Sequence, residues 1–214
     1  MNIIYNELLK NHTSFKIGGP ADQFCSVTSV DEIIELLDYA KKENIPVTIM
    51  GNGSNLLVSD KGIRGLVIKL AKGFDDIAID GTKVVAESGI LLSRLANLAL
   101  KAGLTGLEFA SGIPGTLGGA VCMNAGAYDG EMKQVVRSVT LLDPGQGVRT
   151  LSNEEMEFAY RRSILTDHPE WVVLSVEVAL QAGEPEKIWT ASSAFCMAAS
   201  EAAALAQAHS LESV

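Results

Sequence analysis

Gly51-Asn52-Gly53-Ser54-Asn55-Leu56 is the stretch from which the rest of the chain is best read. It follows the apolar run Val47–Met50, a short buried strand, and leads into a second apolar run at residues 56–58. A phosphate-binding loop needs small residues, so that consecutive backbone N–H groups turn toward an anion with no Cβ in the way. This loop has that character, and Ser54 and Asn55 add side-chain donors. It is not a Rossmann fingerprint, because the third glycine of G-x-G-x-x-G is missing and a strand, not a helix, is expected next. No G-x-x-x-x-G-K-[ST] run occurs, which argues against a P-loop nucleotidase. Taken alone, the loop also reads as a plain strand-connecting turn.

Upstream, Ser29-Val30-Asp31-Glu32 is a capping-box pattern, and Ile33, Leu36, Leu37 and Ala40 follow at helical spacing. Residues 30–44 are therefore expected as an amphipathic helix that Pro46 ends. Downstream, Ile63–Leu70, residues 76–80 and Lys83–Glu87 are strand candidates, with turns at Gly73 and Asp80-Gly81. Residues 90–102 carry Leu91, Leu95, Leu98 and Ala102 on one face, with Gly103 as C-cap, and read as a second helix. Residues 135–142 and 148–151 flank an Asp143-Pro144-Gly145-Gln146-Gly147 turn. Ser152-Asn153-Glu154-Glu155 is a second capping box that opens a short helix, and residues 171–180 form a closing strand. The fold class is α+β, with more strands than helices and no regular βαβ alternation.

Between the second helix and that hairpin, residues 103–130 carry eight glycines. Ser111-Gly112-Ile113-Pro114-Gly115-Thr116-Leu117-Gly118-Gly119-Ala120 runs on to Asn124-Ala125-Gly126-Ala127-Tyr128. One reading is a long structural loop. Structureless loops above about 12 residues are, however, usually functional in compact domains. Its pairing with the first loop suggests an extended ligand, such as a dinucleotide cofactor, clasped from two sides.

Composition narrows the partners. The 214 residues carry 17 Lys+Arg against 26 Asp+Glu, and a net charge of −9 argues against nucleic acid or an anionic membrane. Backbone donors still permit a small phosphorylated ligand. A 47% apolar content rules out disorder, and the length suits one large or two small domains. Cys25, Cys122 and Cys196 form no C-x-x-C pair or even framework, so a reducing, cytoplasmic setting is expected. Neither a signal peptide nor a membrane span is read in the chain. His12, His168 and His209 lack metal-ligand spacing and read as satisfied or exposed, so no metal is expected.

Four motifs in order give a resemblance over about residues 1 to 188. They are Asn11-His12-Thr13-Ser14-Phe15-Lys16-Ile17-Gly18-Gly19-Pro20-Ala21, the loop from Gly51 to Val58, the stretch from Gly112 to Tyr128, and Phe158-Ala159-Tyr160-Arg161-Arg162-Ser163. Together they resemble the UDP-N-acetylmuramate dehydrogenase family, the MurB-type UDP-N-acetylenolpyruvoylglucosamine reductases of peptidoglycan synthesis. The resemblance implies a two-lobed FAD-binding unit of the vanillyl-alcohol-oxidase/PCMH kind: lobe 1 over residues 1–68, lobe 2 over 69–183, and an atypical tail over 184–214. It implies FAD held by Gly51, Asn52, Gly53, Ser54, Asn55 and Leu56, and by Ser111, Gly112, Ile113, Pro114, Gly115, Thr116, Gly118, Gly119, Ala120, Asn124, Gly126 and Ala127. NADPH is implied as the reductant and a UDP-sugar enolpyruvyl ether as the small-molecule substrate, with the oligomeric state left open.

The same resemblance makes Arg161 the catalytic arginine and Tyr160 a substrate contact. A guanidinium is a planar, permanently charged fork, suited to stabilising enolate-like charge next to a carboxylate. Without the resemblance, Arg161-Arg162 reads as a solvated pair at a helix end.

The chain departs from the family after Glu184-Pro185-Glu186-Lys187-Ile188. The resemblance places a general-acid serine and a glutamate in a following substrate-binding domain, which is read here as missing. From Thr190 onward over half of the residues are Ala or Ser, as expected of a frameshifted or truncated product. The tail is expected to form a frayed, loosely docked helix. Ala191-Ser192-Ser193-Ala194-Phe195 has a passing likeness to the family's serine segment but comes early and lacks its glycine. The alternative to an active reductase is therefore a catalytically incomplete FAD-binding fragment.

Overall fold

The computed structural model describes residues 2–211, with side chains through Glu201. The first sheet takes β1 (Ile4–Leu8), β2 (Pro20–Val27), β3 (Val47–Met50) and β4 (Ile63–Leu70), in the order β1-β2-β4-β3. β1 pairs antiparallel with β2, whereas β2 and β3 both run parallel to β4. α1 (Val30–Lys42) carries the chain from β2 to β3, which run the same way on either side of β4. Ser29 caps α1 through the Glu32 N–H at 3.2 Å, but the Glu32 carboxylate takes the Thr28 N–H at 2.7 Å. α1 buries Ile33, Leu36 and Ala40 against Val27, Leu66, Ile68 and Leu70. β4 runs past the expected 68/69 lobe division to Leu70.

The strand expected at residues 56–58 does not form. After the first loop the backbone finds Gly19 N–H to Ser59 O at 2.9 Å and no ladder. Leu56 and Val58 are held by side-chain packing with Leu9, Ala21, Phe24, Met50 and Val67 instead.

The second half begins with β5 (Ile77–Asp80), β6 (Lys83–Glu87), α2 (Leu92–Lys101) and β7 (Leu104–Thr105). Then come α3 (Leu117–Cys122), β8 (Gly126–Ala127), β9 (Gly130–Glu131) and α4 (Met132–Val135). β10 (Val136–Asp143), β11 (Gly147–Ser152), β12 (Val172–Ala179), β13 (Gln181–Ala182) and α5 (Pro185–Leu211) complete the order. The main sheet is antiparallel, β11-β10-β12-β6-β5, and β13-β7 and β8-β9 are small pairs. One face buries Val139, Leu141, Val176 and Val178 against Leu92, Leu95, Leu117 and Val121. An extra residue in β12, between the pairs Thr140–Ser175 and Leu141–Val173, reverses the facing there. Val172 and Leu174 consequently join Leu142, which faces that way by ordinary alternation of β10, in the α1 core, so the two sheets share an interior.

Two further expectations are corrected. Ser152 and Glu155 do exchange capping bonds, Ser152 N–H to Glu155 Oε2 at 2.8 Å and Glu155 N–H to Ser152 Oγ at 3.3 Å. No helix follows, because after a single turn Glu157 takes φ +48° and turns the chain away. Residues 103–130 are not structureless either: β7, a 3₁₀ turn at Glu108–Ala110, α3 and the β8-β9 hairpin lie within them. Over its described residues the tail is one continuous helix, Pro185–Leu211, whose first turns dock on the second half of the fold. Ile188 is buried, and Ser111 Oγ donates to Ser192 O at 3.0 Å. No helix among the described residues is long and apolar enough to cross a membrane.

Candidate functional site

The two glycine-rich loops meet. Asn52 Nδ2 donates to Pro114 O at 2.9 Å, linking positions 62 residues apart. A Cβ on Gly51 would run into Thr116 Oγ1, and one on Gly115 would lie 3.3 Å from Ser54 Oγ. Gly53 has φ +64°, and a Cβ there would strike the His12 carbonyl oxygen. The Ser14 N–H in turn reaches Gly53 O at 3.3 Å, so residues 12–14 form the floor of the first loop. His12 is satisfied, as expected: Nε2 pairs with Glu7 at 2.8 Å and Phe24 stacks on its ring at 4.3 Å. Lys69 Nζ lies 3.3 Å from His12 Nδ1, and burial, then the Lys16 charge, lowers its pKa from the usual lysine range. His168 pairs with Glu170 and stacks on Trp171, while the side chain of His209 lies outside the described residues.

The second loop is sewn to the β6–α2 connection. The N–H groups of Leu117 and Gly118 donate to Ile90 O at 2.9 Å and Ser88 O at 2.8 Å, and the Leu92 N–H donates to Gly115 O at 3.0 Å. Gly118 packs against Ser88, where a Cβ would approach Ser88 Cβ at 2.9 Å. Gly119 differs: a Cβ would meet only Thr116 Oγ1, at 3.6 Å. Neither Gly115 nor Gly119 has a positive φ or a backbone neighbour that demands glycine. Their bareness leaves room outside the protein's own packing. Asn55 is exposed, Asn52, Ser54 and Leu56 are half-buried, and Ile113 packs on the main core while Ala120 lies within it.

At its far end the second loop lines a cleft of about 250 Å³, shared with Tyr160 and Arg161. Asn124, Gly126, Ala127, Tyr128, Glu131 and Gln134 supply the facing wall. The first loop lines no part of this cleft, so the site has two ends: the loop junction, and the arginine cleft. Tyr160 and Arg161 form the tip of a two-residue hairpin closed by reciprocal bonds between Ala159 and Arg162, at 3.0 and 3.2 Å. Arg161 sits at φ +53°, costly for a non-glycine residue. Among the described residues its guanidinium enters no ion pair. It donates to Gly126 O at 3.4 Å and leans over the Tyr160 ring. Tyr160 is 89% exposed. A free, charged fork beside an open aromatic face is a competent carboxylate receiver.

Sequence reasoning did not single out the residues that brace this cleft. Ser163 is fully buried and donates to Cys122 O at 2.8 Å. Glu108 accepts from Thr105 Oγ1 at 2.5 Å and the Gly106 N–H at 2.8 Å, fixing the entry to the second loop. Phe195 of α5 stacks on Tyr128 at 4.5 Å, and Ala199 lies against Gly112. The Tyr-Arg-x-Ser spacing was the available signal for Ser163; Glu108 and Phe195 carry none. Burial raises the pKa of the Cys122 thiol, which disfavours a nucleophilic role beside the cleft.

Residues 21–152 match the FAD binding domain family. A UDP-N-acetylenolpyruvoylglucosamine reductase of Caldanaerobacter subterraneus subsp. tengcongensis is 55% identical over 183 residues, 86% of this chain and 60% of that protein. The crystal structure of the Thermus caldophilus UDP-N-acetylenolpyruvylglucosamine reductase (MurB) superposes with a TM-score of 0.81 at 35% identity. The match covers 92% of this chain and 69% of that one. A solvent-stable cholesterol oxidase shares the fold at a TM-score of 0.63 and 18% identity. The chain spans about 60% of the length of the curated relatives it matches. On that match and the superposition, the chain belongs to the UDP-N-acetylenolpyruvoylglucosamine reductase (MurB) family and has its FAD-binding-domain fold.

Proposed function

We propose that this chain is the FAD-holding part of an NADPH-dependent reductase that converts UDP-N-acetylenolpyruvoylglucosamine to UDP-N-acetylmuramate in cell-wall synthesis. The observation that carries it is the meeting of the two glycine-rich loops at Asn52–Pro114, with the second loop running on to the Tyr160–Arg161 cleft. The residues fit the cofactor. Gly115 and Gly119 leave open surface that internal packing does not need, flanked by Ser54 and Thr116 as polar neighbours. The loop from Gly51 to Leu56 and the stretch from Ser111 to Ala120 would hold FAD, which when bound supplies hydride transfer. Gly126 and Ala127 would extend that contact toward the arginine cleft. Arg161 would receive the substrate carboxylate and oppose the negative charge that grows beside it, and Tyr160 would pack on the substrate. By the same reading the expected lobe 1 of residues 1–68 is extended to Leu70 by β4, lobe 2 follows to residue 183 and the tail covers 184–214, with the protein working in the cytoplasm.

A second reading, an FAD-binding fragment without reductase turnover, is favoured by one observation: the chain spans about 60% of its relatives. Purified protein separates the two. A yellow, FAD-loaded chain whose NADPH oxidation rises on adding the enolpyruvyl sugar nucleotide supports the reductase. FAD binding without that dependence supports the fragment, and failure to bind FAD sinks both. In the reductase, Arg161→Lys keeps FAD bound and lowers substrate-dependent turnover by about 10²-fold, as loss of a transition-state donor does. Normal turnover in that variant would overturn the role of Arg161.

A further inference from the structure

Arg161 sits in a backbone conformation that persists only where surroundings over-determine it. The chain supplies that constraint through residues 122–126, which run alongside the hairpin tip. Three bonds join the segments: Ser163 Oγ to Cys122 O at 2.8 Å, Asn124 Nδ2 to Ala159 O at 3.0 Å, and Arg161 Nη2 to Gly126 O at 3.4 Å. Asn124 is the middle one. Asn124 is 3% exposed and its carboxamide is engaged at both ends: Nδ2 also donates to Glu131 Oε2 at 3.0 Å, and Oδ1 accepts the Lys133 N–H at 2.9 Å. One side chain therefore fastens the β9 end, the start of α4 and the arginine hairpin together.

We propose that Asn124 is the positioning residue of the Tyr160–Arg161 hairpin, rather than a side-chain contact to the cofactor; this rests on the reading of Arg161 as carboxylate receiver. Ala159 O already closes the hairpin by accepting the Arg162 N–H at 3.2 Å. The Asn124 amide adds a second bond to the same oxygen, so the hairpin closure and the wall of the cleft are held as one unit. No other side chain serves as well at this position. Asn124 has φ +41°, where Asn is among the few tolerated non-glycine residues. Glycine adopts that backbone but makes none of the three bonds. Aspartate keeps the acceptor for Lys133 but sets a second carboxylate against Glu131 and the Ala159 carbonyl. The remaining groups facing the amide are neutral backbone of α4 and the hairpin; the charged ones are Glu131 and, across the cleft, Asp129 and Arg161.

The test uses the full chain, Asn124→Gly and Asn124→Asp, reading amide hydrogen exchange at Arg162 alongside FAD affinity and melting temperature. The Arg162 N–H is the reporter because its acceptor is the Ala159 carbonyl that Asn124 holds. In Asn124→Gly its exchange is expected to accelerate at least about tenfold, while exchange in the two sheets stays within about twofold, as for a local opening. In Asn124→Asp protection is lost at neutral pH. Unchanged Arg162 exchange in Asn124→Gly would overturn the proposal. So would acceleration spread evenly over the sheets, which marks general destabilisation. A parent chain that fails to bind FAD would sink the flavin reading alone, since the exchange measurement needs no cofactor.

Discussion

The glycines of the first loop and those of the second answer to different neighbours. Gly51 and Gly53 are required by the protein itself: one abuts Thr116, and the other has φ +64° with the His12 carbonyl where a Cβ would go. Gly119 faces almost nothing of the protein, and Gly115 only the Ser54 hydroxyl. The first loop is thus shaped by its own floor, and the second keeps an uncommitted surface. Glycine-rich sequence looks alike in both. Only packing separates a glycine that lets the chain fold from one that leaves room for a ligand.

Gly53→Ala tests the first half of that contrast and carries the largest expected effect. Left-handed strain and the His12 clash together cost about 2 kcal/mol or more. The fall in melting temperature and denaturant midpoint measures it, and a variant as stable as the parent would break the comparison. Gly119→Ala tests the other half, with the opposite sign. Gly119 lies inside α3, so alanine gains up to about 1 kcal/mol of helix propensity and meets no close neighbour. Stability is expected to hold or rise while FAD affinity falls about tenfold, near 1.4 kcal/mol. An unchanged FAD Kd would mean that the bare face of α3 does not meet the cofactor.

The sequence made the two loops legible because small residues and turn signals are local properties. Residues 63–70, 83–87 and the α1 helix were legible for the same reason, through alternation and a cap at Ser29. What it hid depends on distance. The Asn52–Pro114 bond joins positions far apart in sequence, and no periodicity announces it. The capping box at Ser152 is real chemistry that predicts a helix, but the positive φ of Glu157 vetoes the helix one turn later. Asn124 was legible as a site residue only through its motif. That its amide is spent on Glu131, Lys133 and Ala159 follows from the hairpin fold around it.

Mild acid sharpens the comparison further, with the smallest expected effect. Three carboxylates have pKa values held below their usual range: Glu32 by the Thr28 N–H, Asp143 first by the Gly145 N–H and then by Arg149, and Glu155 by the Ser152 N–H. A folded-state pKa below the unfolded value stabilises the fold above the ordinary carboxylate range, and that contribution is lost as pH falls through the depressed values. None of the three touches either glycine loop. The loop junction itself is held by the neutral Asn52 amide on the Pro114 backbone carbonyl. Lowering the pH from 7 to about 5, still above the ordinary carboxylate range, should therefore leave the melting-temperature deficit of Gly53→Ala unchanged. Only below about pH 4 should parent and variant lose stability, modestly and in parallel. The floor does carry an ionisable ring, His12, but what a Cβ on Gly53 would strike is the neutral His12 backbone carbonyl. A deficit that grows with acid would mean that the ring contributes as well, and the steric account of Gly53 would then be incomplete.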